Sequence, residues 1–176
     1  MKQPTIKTKK FILRPLKKSD AVSLAEFANN KNISRFLNER FPYPYTLSDA
    51  EKFIEISNKF IKNKNPRSIN FGIEIDKHIV GIISIGLNLN QRMAELGYWL
   101  GEPYWGNGVM TGAVNEIVKY SFNTLKLHRI QARVMEINAP SMALLKKNKF
   151  KQEGFLHKAL FKNGKFYNLY FFARVK

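Results

Sequence analysis

Hydrophobic positions along this chain change their period several times, and each change marks an element. Phe11-Ile12-Leu13-Arg14-Pro15-Leu16 reads as a first strand. Ser19-Asp20 then caps a helix whose apolar face includes Val22, Leu24 and Phe27. After the proline-punctuated Phe41-Pro42-Tyr43-Pro44-Tyr45, Thr46 or Ser48 opens a second helix carrying Phe53, Ile54, Ile56, Phe60 and Ile61. Residues 59–67, basic and Asn-rich, read as its frayed end and a loop. Phe71, Ile73 and Ile75 alternate with smaller or polar residues, and Asp76-Lys77-His78 turns the chain into an apolar run over 79–87. That pattern is a hairpin signal. Residues 94–100 predict another strand and 106–111 a turn, after which Val114, Ile117, Val118, Ser121 and Phe122 recur at helical spacing. A strand over 129–137, a short helix over 140–147 and two strands flanking Asn163-Gly164 complete the order.

That order is β-α-α-β-β-β-α-β-α-β-β. Hairpins among the strands predict an α/β (α+β) fold with a mixed, mostly antiparallel sheet and about four helices, not a doubly wound parallel sheet. No repeat, low-complexity tract or Pro/Gly linker interrupts it, so one domain over residues 1–176 is expected.

Composition then narrows the chemistry. Hydrophobic residues at 44% and charged residues at 24% are globular proportions. The absence of cysteine excludes disulfides, thiolate metal sites, iron–sulfur clusters and a cysteine nucleophile. His78, His128 and His157 stand at no metal-ligand spacing, so no metal is expected. Lys2, Lys7, Lys9 and Lys10 precede no apolar run of the kind a signal peptide needs. The longest apolar stretch, 79–87, is far short of the ~20 residues that span a bilayer. A cytoplasmic protein without a membrane partner is expected.

Net charge is +17. Of 30 basic residues 22 are Lys, beside 17 Asn and 16 Ile, a joint excess read first as compositional bias on exposed faces. Residues 141–176 nevertheless hold nine basic side chains against one acidic, Glu153. That concentration suits an anionic ligand or an acidic protein partner. No basic–aromatic recognition motif accompanies it, so nucleic acid is not expected as the main target.

The chemistry concentrates between residues 94 and 113, where a strand ends, Gly106-Asn107-Gly108 turns and an amphipathic helix begins. Glycines let the backbone turn sharply, and the first helical N–H groups have no internal partners. With the helix dipole, such a terminus suits a phosphate or diphosphate. It is not a Walker A loop, since Gly-Lys-Ser/Thr is missing, and Gly112 breaks the dinucleotide spacing.

The segment Tyr104-Trp105-Gly106-Asn107-Gly108-Val109-Met110-Thr111 resembles the diphosphate loop of the Gcn5-related N-acetyltransferase (GNAT) superfamily, in its ribosomal-protein N-terminal acetyltransferase branch. Trp105 and Met110 take its first and last places. Thr8 to Leu16 followed by Ser19-Asp20-Ala21, then His128 to Arg133, then Asn138-Ala139-Pro140-Ser141 with Lys147 and Phe150, resemble the same branch in the same order. The resemblance implies six or seven strands, the fourth and fifth splayed around acetyl-coenzyme A as co-substrate. It implies that main-chain groups of Tyr98, Trp99 and Leu100 pair with the pantetheine arm. Trp105, Gly106, Asn107, Gly108, Val109, Met110 and Thr111 would form the diphosphate loop, and Asn138 would bond the pantetheine side. Lysines after Ser141, Lys146 among them, would meet the ribose phosphate or simply face solvent.

By the same resemblance, Glu95 is the candidate base, acting directly or through water; the alternative is an ion pair with a nearby Arg or Lys. Glu102 is the reserve. Ser141 is the candidate acid, or a helix-start hydroxyl bonded to the backbone, or both. An α-amine, with an unperturbed pKa of ~7.7–8.0, needs less help to deprotonate than lysine. The acceptor that the resemblance implies is a protein N-terminus, that of a ribosomal protein in this branch, and a net acidic acceptor would suit the charge. The alternative is a small amine such as a polyamine, amino acid or antibiotic; a non-catalytic coenzyme- or RNA-binding protein is a third reading. A homodimer is compatible with all three. The sequence departs from the branch at Gly112 (often Glu), Lys149 (Gly), His157 (Arg) and Asn168 (Asp).

Overall fold

A computed structural model describes residues 3–62 and 66–176. The expectations placed on Lys2, on residues 63–65 and on the Ile61 side chain lie outside the described residues.

Among these, eight strands form one sheet in the order β1-β2-β3-β4-β5-β6-β8-β7. The strands are β1 (Ile6–Lys7), β2 (Ile12–Arg14), β3 (Ser68–Ile75), β4 (His78–Asn88), β5 (Met93–Leu100), β6 (Arg129–Met135), β7 (Lys151–Lys162) and β8 (Lys165–Val175). Five helices accompany them: α1 (Ala21–Ala28), α2 (Lys31–Ser34), α3 (Leu47–Lys62), α4 (Val109–Asn123) and α5 (Ala139–Lys147). Every neighbouring pair is antiparallel except β5 and β6, which run parallel. That pair holds register only at Met93–Arg129, Ala94–Ile130 and Glu95–Gln131. Beyond it the strands separate, as the resemblance implied for the predicted fourth and fifth strands.

The sheet has one strand more than the upper expectation because Ile6–Lys7 folds back on β2. A tight turn makes this possible, with the Thr8 hydroxyl donating to the Phe11 carbonyl at 2.7 Å. The extra helix, α2, is only four residues long and so carries no period; Asn30 caps it by accepting from the Asn32 and Ile33 N–H groups.

Two apolar layers flank the sheet. The larger packs α4, through Val114, Ile117 and Val118, on Phe71, Ile83, Ile85 and Ile130. The smaller joins α1 and α3 to the other face through Leu24, Ala28, Ile54, Ile79 and Ile82. Each large aliphatic side chain buried here contributes roughly 1.5–3 kcal/mol.

Tertiary packing corrects two helix faces. Val22 is 68% exposed and Ile56 50% exposed, so neither belongs to the core. α1 instead buries Ala21, Leu24 and Ala28. Asp20 does not cap α1 with its side chain. Its carboxylate accepts from both Arg14 Nη atoms, at 2.7 and 2.8 Å, and from the Lys17 N–H at 2.6 Å. Arg14 also donates to Glu74. Thr46 opens α3 in a reciprocal cap with Asp49: the Asp49 N–H donates to the Thr46 hydroxyl at 3.2 Å, and the Thr46 N–H to the Asp49 carboxylate at 2.9 Å. Donation from the Thr46 hydroxyl at 2.6 Å, and then from its N–H, holds the Asp49 carboxyl below the usual range.

Candidate active site

The divergence of β5 from β6 opens a cavity of about 1280 Å³. Its floor includes Tyr98, Trp99 and Leu100, which lie past the last β5–β6 partners. Their β6-facing main-chain groups are therefore available to an extended ligand with amides of its own. The Leu100 carbonyl already accepts from the Trp105 indole N–H at 2.7 Å, which ties the loop to the strand end.

The loop turns through left-handed backbone at Gly106 (φ 76°) and Gly108 (φ 75°), and a Cβ at either would meet nothing within 4 Å. Glycine is required there by backbone conformation, not by crowding. α4 begins at Val109 without a side-chain cap at Gly108, which leaves its first N–H groups unsatisfied from within. Trp105, Gly106, Gly108, Val109, Met110 and Thr111 line the cavity. An uncapped, glycine-led helix start on a cleft wall fits a diphosphate. Asn107 does not line the cavity; its carbonyl accepts from Lys10 Nζ at 3.3 Å. Gly112 faces Phe11, where an added Cβ would sit 3.0 Å from the ring, so packing rather than chemistry explains that departure.

Glu95 lies at the last β5–β6 pair, and its carboxylate is held by Arg133. Arg133 Nε donates to Oε1 at 2.8 Å and Nη2 to Oε2 at 3.0 Å. The ion pair weighed for Glu95 is thus present, and both partners line the cavity. Arg133 was not singled out from the sequence. Only the register reveals it: Gln131 stands opposite Glu95, and Arg133, two residues on, shares its face.

Ser141 sits in the first turn of α5. The Asn138 side chain accepts from its N–H at 3.2 Å, and its hydroxyl lies 2.7 Å from the Tyr98 phenol. Burial pushes the Tyr98 phenol up to about 12. Asn138 therefore caps α5 with its oxygen while it lines the cavity. Lys146 is exposed and off the cavity wall, which Lys147 lines instead. Glu102, the reserve base, is bound by the Asn30 amide at 2.7 Å and the Asn32 amide at 3.1 Å, which hold its carboxyl below the usual range. It does not line the cavity and instead joins α2 to the strand end.

The far wall, also missed, is built from α2 and the loop after it, with Arg35, Glu39 and Arg40. The ammonium of Lys162, buried at the end of β7, donates to the Ser34 and Leu37 carbonyls, and the Asn163 N–H donates to Glu39 at 3.1 Å. Burial holds the Lys162 ammonium below the usual lysine range. These contacts clip the wall to the β7–β8 hairpin. Of the other departures, Asn168 donates to Glu136 at 2.9 Å and accepts from the Lys158 N–H at 2.8 Å, and His157 meets Phe155 edge-to-face with centroids 4.9 Å apart. Among the described residues, no group of three or more His, Asp or Glu could hold a metal, and no helix is long and apolar enough to cross a membrane.

Comparison with known proteins agrees with this arrangement. Residues 10–151 match the family model of an acetyltransferase (GNAT) domain. "Probable N-acetyltransferase YjcK" of Bacillus subtilis (strain 168) is 34% identical over 166 residues, covering 90% of each chain. The spermidine N(1)-acetyltransferase of Vibrio cholerae serotype O1 is 30% identical over 156 residues, 88% of this chain and 86% of that one. The solved structure of RimL, a ribosomal L7/L12 alpha-N-protein acetyltransferase in complex with coenzyme A, superposes with a TM-score of 0.89 at 20% identity and 98% coverage of both chains. A splayed sheet, a glycine-led helix start and matches of this extent converge on one assignment: the chain belongs to the GNAT acetyltransferase family, and it is an N-acetyltransferase that moves an acetyl group onto an amine.

Proposed function

We propose that the acceptor is the N-terminal α-amine of a protein, a ribosomal protein being the leading candidate, and that the whole chain acts as one catalytic domain in the cytoplasm. The observation that carries the reading is the placement of Glu95, Ser141 and the glycine-led helix start on one cavity. Acetyl-coenzyme A supplies a thioester whose C–S bond breaks as the amine forms its N–C bond, giving an amide and a free thiol. Residues 106–111 would hold its diphosphate, with Tyr98, Trp99, Leu100 and Asn138 along its arm. Glu95 takes the proton released by the amine, directly or through water. Ser141 donates a proton at the sulfur. Tyr98, protonated across the working range, orients that hydroxyl.

Relatives and neighbours of this fold include a spermidine acetyltransferase and a ribosomal-protein acetyltransferase, so fold alone does not choose the acceptor. Charge supports the protein N-terminus over a polyamine. The cavity lining carries Arg35, Arg40, Arg133 and Lys147 against Glu39 and Glu95, and Glu95 is already paired. A polycation would meet net repulsion there.

The test is thioester consumption against N-terminal peptides, spermidine, free amino acids and amine-bearing antibiotics. Turnover of peptides, lost in Glu95→Gln and Ser141→Ala, supports the reading. Turnover of small amines alone contradicts the acceptor, and full activity in both variants contradicts the acid–base roles.

A further inference from the structure

The Glu95–Arg133 pair uses only part of its guanidinium. Nε and Nη2 donate one hydrogen each to the carboxylate. Arginine carries five such hydrogens, and the remaining donors of Arg133 have no hydrogen-bond partner among the described residues. The side chain is 51% exposed and lies on the cavity wall. Carboxylate and half-free guanidinium thus stand side by side, where the acceptor amine must come. The far wall adds Arg35 and Arg40, while its carboxylate, Glu39, is engaged by the Asn163 N–H. An anion entering the acceptor side meets three guanidinium groups, beside one carboxylate that is ion-paired, Glu95, and one that is held by a single N–H, Glu39.

Resting on the N-terminal reading above, we propose that Arg133 is a specificity-determining residue for an acidic acceptor: a protein whose first or second residue is Asp or Glu. The acceptor carboxylate takes the free guanidinium donors while its α-amine faces Glu95. The order of charges on the protein, carboxylate then guanidinium, mirrors the order on such an N-terminus, amine then carboxylate. The reach is right, because the first two Cα atoms of a peptide are ~3.8 Å apart and the protein groups that would face amine and carboxylate are in contact at 2.8 Å. Planar, two-pronged pairing is what guanidinium offers a carboxylate and ammonium does not. Glu95 remains oriented by its shared partner, and acetyl transfer proceeds with the same bonds made and broken.

The experiment compares kcat/KM for peptides of one length that start with Asp or Glu, with Asn or Gln, or with Lys in the first two positions. It uses the wild-type chain, Arg133→Gln, Arg133→Lys and Arg133→Glu. Wild type is expected to favour acidic over amide peptides tenfold or more. Arg133→Gln brings that ratio near one, Arg133→Lys keeps a remnant, and Arg133→Glu shifts preference toward Lys-bearing peptides. The KM for acetyl-coenzyme A stays within about twofold throughout, which separates acceptor reading from damage to the fold or to the coenzyme side. Equal wild-type turnover of acidic and amide peptides overturns the inference and leaves the N-terminal reading intact. So does a preference that survives in Arg133→Gln. Turnover of spermidine or free amino acids with no peptide acetylated removes the N-terminal reading and this inference together.

Discussion

The Tyr98 phenol and the Ser141 hydroxyl meet at 2.7 Å across the opening between β5 and α5. One group belongs to the strand that leads into the glycine-led loop, the other to the helix that follows β6, so their contact spans the divergence that makes the cavity. Removing the Ser141 hydroxyl should lower kcat on the order of 100-fold, within the usual range for a lost proton donor. Tyr98→Phe removes only the orienting partner and should lower kcat about tenfold, with the KM for acetyl-coenzyme A little changed. Steady-state kinetics on the two variants measures the difference, and a larger loss in Tyr98→Phe than in Ser141→Ala would place the proton donor on Tyr98.

Tyr98 and Tyr45 both have phenols pushed up to about 12 by burial. In the unfolded chain a tyrosine ionises near ~10. Below that pH the phenol is protonated in both states and its contribution to stability is intact. Between pH 10 and 12 only the unfolded form ionises, so stability falls as pH rises, by roughly 2 kcal/mol per phenol. Urea unfolding at pH 8, 10 and 11.5 checks the direction. Tyr45→Phe should flatten part of the slope.

Arg14, on β2, is buried between Asp20 and Glu74 and is paired with both. Arg14→Ala leaves two carboxylates without their shared cation, a loss of about 3–5 kcal/mol. At ~2–4 °C per kcal/mol for a chain of this size, calorimetry should show Tm lower by more than about 6 °C. Replacing Arg14 and Asp20 together with Met and Asn should cost less than the single change.

Lys149 occupies left-handed backbone at φ 62°, just after α5. The related branch favours glycine there, and the conformation explains why. Lys149→Gly relieves the Cβ clash, against a gain in unfolded-state freedom. A net stabilisation of up to about 1 kcal/mol is expected, with unchanged kcat, and thermal unfolding beside an activity assay checks both.

The legible parts of the molecule are those whose structure is local. The Asp76-Lys77 turn, both residues at positive φ, and the Asn163-Gly164 turn joined the strands expected on either side of them. The two loop glycines mark a turn and a helix start in the sequence alone. Val22 and Ile56 were misread because a face of α1 or α3 is chosen by partners distant in sequence. β1 and α2 were invisible because two and four residues hold no period. The pairing of Glu95 with Arg133 is a register fact across 38 residues, and the Arg35–Arg40 wall depends on Lys162 from the far end of the chain. No motif encodes either.

Everything about turnover depends on where the twin phosphates of the acetyl donor rest. A crystal structure of the chain with coenzyme A measures this most directly. The account predicts the diphosphate oxygens within hydrogen-bond reach of main-chain N–H groups in residues 106–111, with the pantetheine arm between β5 and β6 and the sulfur nearest Ser141. Phosphates bound elsewhere, or a cleft that stays empty at saturating coenzyme, would contradict it.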